Sequence, residues 1–312
     1  MGGDLVRGLA IGLAAGVGSA LATRWRPSWI VVGGAALVTA ALLGGVEYRG
    51  STRWIEVPGL GRVSTCEPLL AFACLLAASG ARRTRSWVGP LVIALALIQL
   101  GARSYALLAL AAGLFGVRER LRGPAAVLVG SWGIVVGLAL LNLTAAGERV
   151  RGFLLQEGAG GFTEAKLAAI RAGAAWTSGR PPEALPWSEP LVRRDFTFLW
   201  DGWALGWGLA WPCHLMVLLA AAAAARGLRT PFQIFAALAV LKGLAHLGSC
   251  LGESPVVGMS APFLTGSGSE WLAVGLVAGS ATAWRSAVGI ERRAPAFRRP
   301  VAGDRAALPA SG

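Results

Sequence analysis

Charged side chains are scarce in this chain, making up 14% of its 312 residues against 55% apolar ones. An average soluble domain carries about 25% charge. That deficit, with a mean hydropathy of +0.60, excludes an ordinary soluble fold and predicts an all-α polytopic membrane protein. Cysteine is limited to Cys66, Cys74, Cys213 and Cys250, and none has the paired short spacing of a zinc site. No basic run is interleaved with aromatics, so the net charge of +13 reads as membrane topology and attraction to anionic membrane lipids, with no nucleic-acid partner. No cleavable signal-peptide pattern is present, and the first apolar run is read as a retained helix. No inverted repeat of the kind that builds many transporters is visible.

What is there is a series of apolar runs. About nine spans are predicted, at 8–23, 29–47, 67–80, 87–101, 103–117, 124–142, 202–225, 232–250 and 268–285. Together they form a single integral membrane domain over 1–293. The tail 294–312 is rich in Arg, Pro, Ala and Gly without periodicity, and is predicted to be disordered. Arginine placement sets the orientation, because short cytoplasmic loops carry the excess of basic residues. Arg24 and Arg26, then Arg82, Arg83 and Arg85, then Arg118, Arg120 and Arg122, then Arg226 and Arg229, and finally the tail from Arg285 all fall on one side. The C-terminus is therefore expected in the cytoplasm and the long segment of about 143–200 outside, before the last three spans.

The richest stretch runs from Pro231 to Glu270. Its apolar helix carries Lys242 and His246 one turn apart, hence on one face. An ionisable residue at the bilayer centre costs roughly 2.5–3.5 kcal/mol on insertion scales, so this face is expected to look into a polar cavity of the bundle. The segment then breaks at Glu253-Ser254-Pro255 and continues through Gly258, Pro262 and Phe263 to Ser267-Gly268-Ser269. Irregular backbone at membrane depth belongs at a protein-lined, wet site.

The run Leu244, Gly248, Leu251, Gly252, Pro255, Val256, Gly258, Pro262, Phe263, Gly268, Ser269 resembles, without a gap, the C-terminal signature of the SEDS family (shape, elongation, division and sporulation; FtsW, RodA and SpoVE). His246 replaces the family's Asn, Val257 its Thr, and Gly266-Ser267 its Tyr-Gly. A second landmark is Arg53-Trp54-Ile55 followed by Glu67, where the family reads R-W-I and then Q-P-S-E. Ser64, Thr65 and Cys66 replace the Gln-Pro-Ser, and Leu70 stands where the family has a lysine. Read without the family, Arg53-Trp54 is an interfacial anchor. Further along, Gln99 matches a family glutamine while the nearby family aspartate is Gly101, and Glu148-Arg149 with Phe153-Leu154 resembles the start of the family's large outer loop. Pro190, Asp195, Phe196 and Phe198 match L-P-E-x-x-T-D-F-I-F, but Trp203 and Ala204 occupy the place of a family Glu-Glu pair.

The resemblance implies a peptidoglycan glycosyltransferase that polymerises lipid II, the undecaprenyl-pyrophosphate-linked glycan precursor, on the outer face of the bacterial cytoplasmic membrane. The process served is cell division or cell-shape maintenance, beside a penicillin-binding transpeptidase. It makes Asp195 the catalytic base, acting on a sugar hydroxyl. An N-cap for the following helix is the competing reading of that residue. Candidate substrate contacts are Arg53, Trp54, Glu67, Arg149, Arg194, Lys242, His246, Ser267, Gly268 and Ser269. Arginine forks suit a pyrophosphate, and a divalent cation is a candidate companion for the leaving group. Arg53, Glu67, Asp195, Lys242, His246 and the 258–269 loop are expected to line one outward cavity. Trp200, Trp203, Trp207 and Trp211 are spaced for one face of a single helix. Two other classes stay open: a catalytically weakened SEDS-like scaffold or regulator of cell-wall assembly, favoured by the missing carboxylates, and a transporter of a lipid-linked solute.

Overall fold

The computed structural model describes residues 2–25, 28–48, 51–57, 61–79, 87–117, 196–253, 259–264 and 267–293. The expected span 124–142, most of the expected outer segment 143–200 and the tail 294–312 lie outside them. The described chain is helical: α1 (Gly2–Trp25), α2 (Trp29–Gly44), α3 (Cys66–Ser79), α4 (Val88–Gln99), α5 (Arg103–Val117), α6 (Thr197–Leu205), α7 (Trp207–Ala224), α8 (Pro231–Leu251) and α9 (Gly268–Arg293). Among the described residues three helical segments, Val6–Arg24, Trp207–Ala224 and Pro231–Leu251, are long and apolar enough to cross a membrane, while α2, α3, α4 and α5 are shorter apolar helices. Exposed Val6, Leu13 and Val17 on α1 and Leu209, Met216 and Leu219 on α7 face outward, as a lipid solvent permits and water does not.

Helix α3 is the inner element. Leu69, Ala71, Ala73, Cys74, Leu75 and Ala77 are all 0% exposed, and a helix apolar on every side must be enclosed. It packs against α2, α4, α5, α8 and α9. A second apolar cluster gathers Phe196, Phe198, Leu199 and Trp203 with Ala210, Leu218, Leu247 and Cys250, joining α6 and α7 to α8. All four cysteines are free thiols.

Two features depart from the sequence-based expectation. The loop after α2 holds a three-stranded antiparallel sheet, β1 (Val46–Tyr48), β2 (Ser51–Val57) and β3 (Gly61–Ser64), in the order β1-β2-β3. Trp54 pairs with Ser64 and Ile55 with Val63 across β2 and β3. The expected single span 202–225 is instead two helices, because Gly206 takes φ 79° and ψ 155° between α6 and α7. That positive φ is open to glycine at little cost and ends the helical hydrogen-bond ladder. The tryptophans therefore divide, Trp200 and Trp203 on α6 and Trp207 and Trp211 on α7.

Helix α8 is fixed at both ends by local chemistry. Thr230 and Gln233 form a reciprocal capping box ahead of Pro231. At the other end Gly252 is left-handed and the Glu253 N–H reaches the Gly248 carbonyl at 2.9 Å, the 6→1 bond of a Schellman stop.

The first and last helices run parallel and in close contact. A Cβ on Gly275 would fall on the Gly12 carbonyl oxygen, and one on Gly279 on the Gly16 carbonyl oxygen. Small residues every four positions on both helices let the backbones approach this closely. Beside them the Ser19 hydroxyl donates to the Leu276 carbonyl at 2.7 Å, and Thr23 donates to the Ser280 hydroxyl at 3.2 Å. Gly275→Leu is expected to lower thermal stability in detergent by about 1–3 kcal/mol through overpacking. A Cβ on Gly18 meets nothing within 4 Å, so Gly18→Leu serves as the neutral control. Equal melting of the two variants would show that the glycine contact does not hold α1 to α9.

Candidate functional site

Among the described residues, two centres built on ionisable side chains lie inside the bundle, and α8 contributes to both. The first joins four helices. Glu67 stands in the first turn of α3 and Glu270 in the first turn of α9, positions where the helix macrodipole favours a carboxylate. Lys242 of α8 reaches between them, its ammonium donating to Glu270 Oε1 at 3.0 Å and lying 4.0 Å from Glu67 Oε1. The Tyr105 hydroxyl of α5 donates to Glu67 Oε1 at 2.6 Å, and Ser269 Oγ donates to Glu67 Oε2 at 3.3 Å. Ser267 and Ser269 share a hydroxyl–hydroxyl bond of 2.7 Å. The ammonium also stands 5.7 Å from the Tyr105 ring centroid, within cation–π range.

Lys242, Glu67 and Glu270 are buried, so each charge has exchanged water for partners fixed in place. The void they line with Leu70, Tyr105, Phe235, Leu238 and Ala239 measures about 10 Å³, enough for about one water. It admits no sugar. What this arrangement can do is fix the first turns of α3 and α9 against α8 and α5, and with α9 the serines that lead into it.

The second centre is built on imidazole. His246 Nδ1 lies 2.8 Å from the Met259 carbonyl, while its Nε2 faces the Phe198 backbone N–H at 3.4 Å and Cys250 Sγ at 3.6 Å. His214 of α7 stacks on this ring, centroids 6.4 Å apart and planes 7° from parallel, and bonds Asp201 Oδ2 through its Nε2 at 2.9 Å. Phe198 sits against Trp207, Trp211 and His214 at centroid distances of 5.1, 4.8 and 4.9 Å.

The expectation that Lys242 and His246 share one cavity is therefore corrected. One turn of helix separates them, and each faces a different set of neighbours. Both are enclosed by the protein, as the cost of an ionisable group in lipid requires. Arg53 and Trp54 lie on β2, with the Arg53 guanidinium 5.7 Å from the Trp54 ring centroid. The Arg53 carbonyl accepts from both the Thr65 N–H and the Thr65 hydroxyl at 3.0 Å, which ties the sheet to the start of α3 two residues before Glu67. Gly268 opens α9, where an added Cβ would press on Ile11 at 3.3 Å.

Arg149, Arg194, Asp195 and Gly258 lie outside the described residues. Helix α6 does begin immediately after that region, with Phe196 at the N-cap position and no side-chain capping bond. Glu270, Tyr105 and His214 join these centres without belonging to any of the sequence landmarks. An acidic residue at the mouth of an apolar span, and a tyrosine and a histidine within apolar helices, were the signals present. For the expected divalent cation, the described residues hold no group of three His, Cys, Asp or Glu able to bind a metal. The Glu67 and Glu270 carboxylates are already bridged by Lys242, so no step is assigned to a cation.

No protein-family model and no curated protein sequence matches this chain. Solved structures do match. One is a peptidoglycan synthase complex described for its coordination of polymerization and crosslinking, at 20% identity and a TM-score of 0.60, covering 89% of this chain and 88% of that one. Another is the Rod shape determining protein RodA of Thermus thermophilus, at 18% identity and TM-score 0.53 over 90% and 87% of the two chains. An aspartate-to-alanine variant of that RodA matches at 17% identity and TM-score 0.54 over 89% and 88%. The likeness spans nearly the whole of both partners, and it establishes that this chain shares the helical fold of RodA, with apolar helices that support a membrane location.

Proposed function

We propose that this protein is a peptidoglycan glycosyltransferase of the SEDS type, polymerising lipid II at the outer face of the cytoplasmic membrane. The observation that carries the reading is the fold shared with RodA and a peptidoglycan synthase complex over nine-tenths of the chain, joined to the ordered sequence landmarks from Arg53 to Ser269. In the reaction, Asp195 takes the proton from the acceptor GlcNAc 4-hydroxyl. The oxygen attacks the donor's anomeric carbon, and the bond from that carbon to undecaprenyl pyrophosphate breaks. Arg53, Arg149 and Arg194 are the candidates to offset the leaving pyrophosphate's charge. Glu67, Lys242 and Ser269 act from within the protein by holding the first turns of α3 and α9. The partner proposed is a penicillin-binding transpeptidase, the crosslinking half of such a pair. Incubating the purified protein with fluorescent lipid II tests the reading: ladders of glycan are expected, and none would support the alternative below.

That alternative is a scaffold or regulator of cell-wall assembly with weakened catalysis. It is favoured by Trp203, which stands where the family has a carboxylate and is buried in the α6–α8 apolar cluster at 1% exposure.

The proposed orientation places segment 143–200 outside and the C-terminus in the cytoplasm. The parallel pairing of α1 and α9 supports it, bringing Arg24 and the C-terminal end of α9 to the same end of the bundle. Introduced Ser188→Cys should react with a membrane-impermeant thiol reagent in intact cells, and Ser311→Cys should not. The reverse pattern would overturn the topology and the function with it.

A further inference from the structure

His246 stood among the expected substrate contacts, yet its ring is 1% exposed and both nitrogens are engaged within the protein. A carbonyl can only accept, so the contact to Met259 at 2.8 Å puts the proton on Nδ1. In the neutral ring Nε2 is then an acceptor, and it faces the Phe198 N–H at 3.4 Å beside the Cys250 thiol at 3.6 Å. Phe198 is the second residue of α6, whose N-cap Phe196 makes no side-chain capping bond. Helix first-turn N–H groups have no partner within their own helix. Here one is met by a side chain delivered from α8.

The other side of the ring holds an irregular segment. Met259 opens the stretch 259–264, in which Phe263 is left-handed at φ 64°, a conformation a bulky side chain takes only when its surroundings impose it. The ring's own orientation is fixed by the His214 stack and, through His214, by Asp201.

We propose that His246 is a positioning residue: its imidazole ties the first turn of α6 to Met259 of the α8–α9 connection, and so fixes the start of the helix that follows Asp195 in sequence. This inference rests on the polymerase reading, in which Asp195, directly preceding Phe196, is the base. A base held slightly out of reach of the acceptor hydroxyl loses rate far more than it loses binding.

The test compares full-length wild type, His246→Leu and His246→Asn in lipid nanodiscs, by hydrogen–deuterium exchange and by lipid II polymerisation. Leucine fills the space with no polar atom, whereas asparagine supplies both an acceptor and a donor. In His246→Leu, peptides covering 196–200 and 259–264 are expected to exchange at least about tenfold faster while α3 is unchanged. Its kcat should fall about 10- to 100-fold with KM within about twofold. His246→Asn should recover most of both losses. Unchanged exchange at 196–200 in His246→Leu overturns the tie. So does an asparagine variant no better than leucine, and a raised KM with kcat preserved, which would return His246 to direct substrate contact. A wild type that makes no polymer overturns the functional reading separately, and the exchange comparison alone then decides the tie.

Discussion

Asp195→Asn is expected to abolish lipid II polymerisation while leaving a folded protein in the membrane. The side chains match in size, and an amide oxygen caps a helix about as well as a carboxylate. An amide does not take up the proton of a sugar hydroxyl, so only base catalysis is removed, with a rate loss of ~10² to 10⁴. Phe196, the residue after Asp195 in sequence, occupies the N-cap position of α6. Fluorescent lipid II resolved on gels gives the rate, and a thermal melt of the same preparation reports folding. Wild-type-like activity in the variant would remove Asp195 as the base and move attention to Asp201, although that carboxylate already bonds His214.

Lys242→Met should be the most destabilising change at the acid–lysine centre. It leaves Glu67 and Glu270 buried without the ammonium that bridges them, and breaking a buried ion pair from one side costs about 3–5 kcal/mol. Adding Glu270→Gln removes one of the stranded charges. The double variant should therefore melt above Lys242→Met, and the departure from additivity measures the coupling. Simple additivity would mean that the contact carries little energy. A second route to rescue lies across the void. Leu70 lines it together with Lys242 and both glutamates, and 70 is where the SEDS pattern carries a lysine. Leu70→Lys in the Lys242→Met background should restore part of the stability, since the cation returns to the same carboxylates from α3 in place of α8.

The amino-acid sequence by itself determined the class of the molecule. Scarce charge and long apolar runs leave a membrane-embedded helical bundle as the solution that satisfies every backbone polar group. It also determined that Lys242 and His246 turn away from lipid, because an ionisable side chain there is too costly to leave unaccompanied. The stop of α8 near Glu253 was legible for the same kind of local reason: Gly252 permits the left-handed turn and Pro255 discourages a restart.

What tertiary structure decided was which partner each of those groups meets. Residues one turn apart share a face in projection, but a face several residues wide meets more than one neighbour. Lys242 meets α3, α5 and α9, whereas His246 meets α6, α7 and Met259. Neither Tyr105 nor Glu270 is near Glu67 in sequence, so nothing in local spacing could pair them. The break at Gly206 was equally hidden, since a glycine within an apolar helical run is tolerated as often as it interrupts. The sheet over 46–64 was hidden for the same reason, since its pairing depends on contacts between strands. Local chemistry fixes where helices start, stop and turn a polar side chain inward. The choice among inward-facing partners is made by packing, which depends on every helix at once.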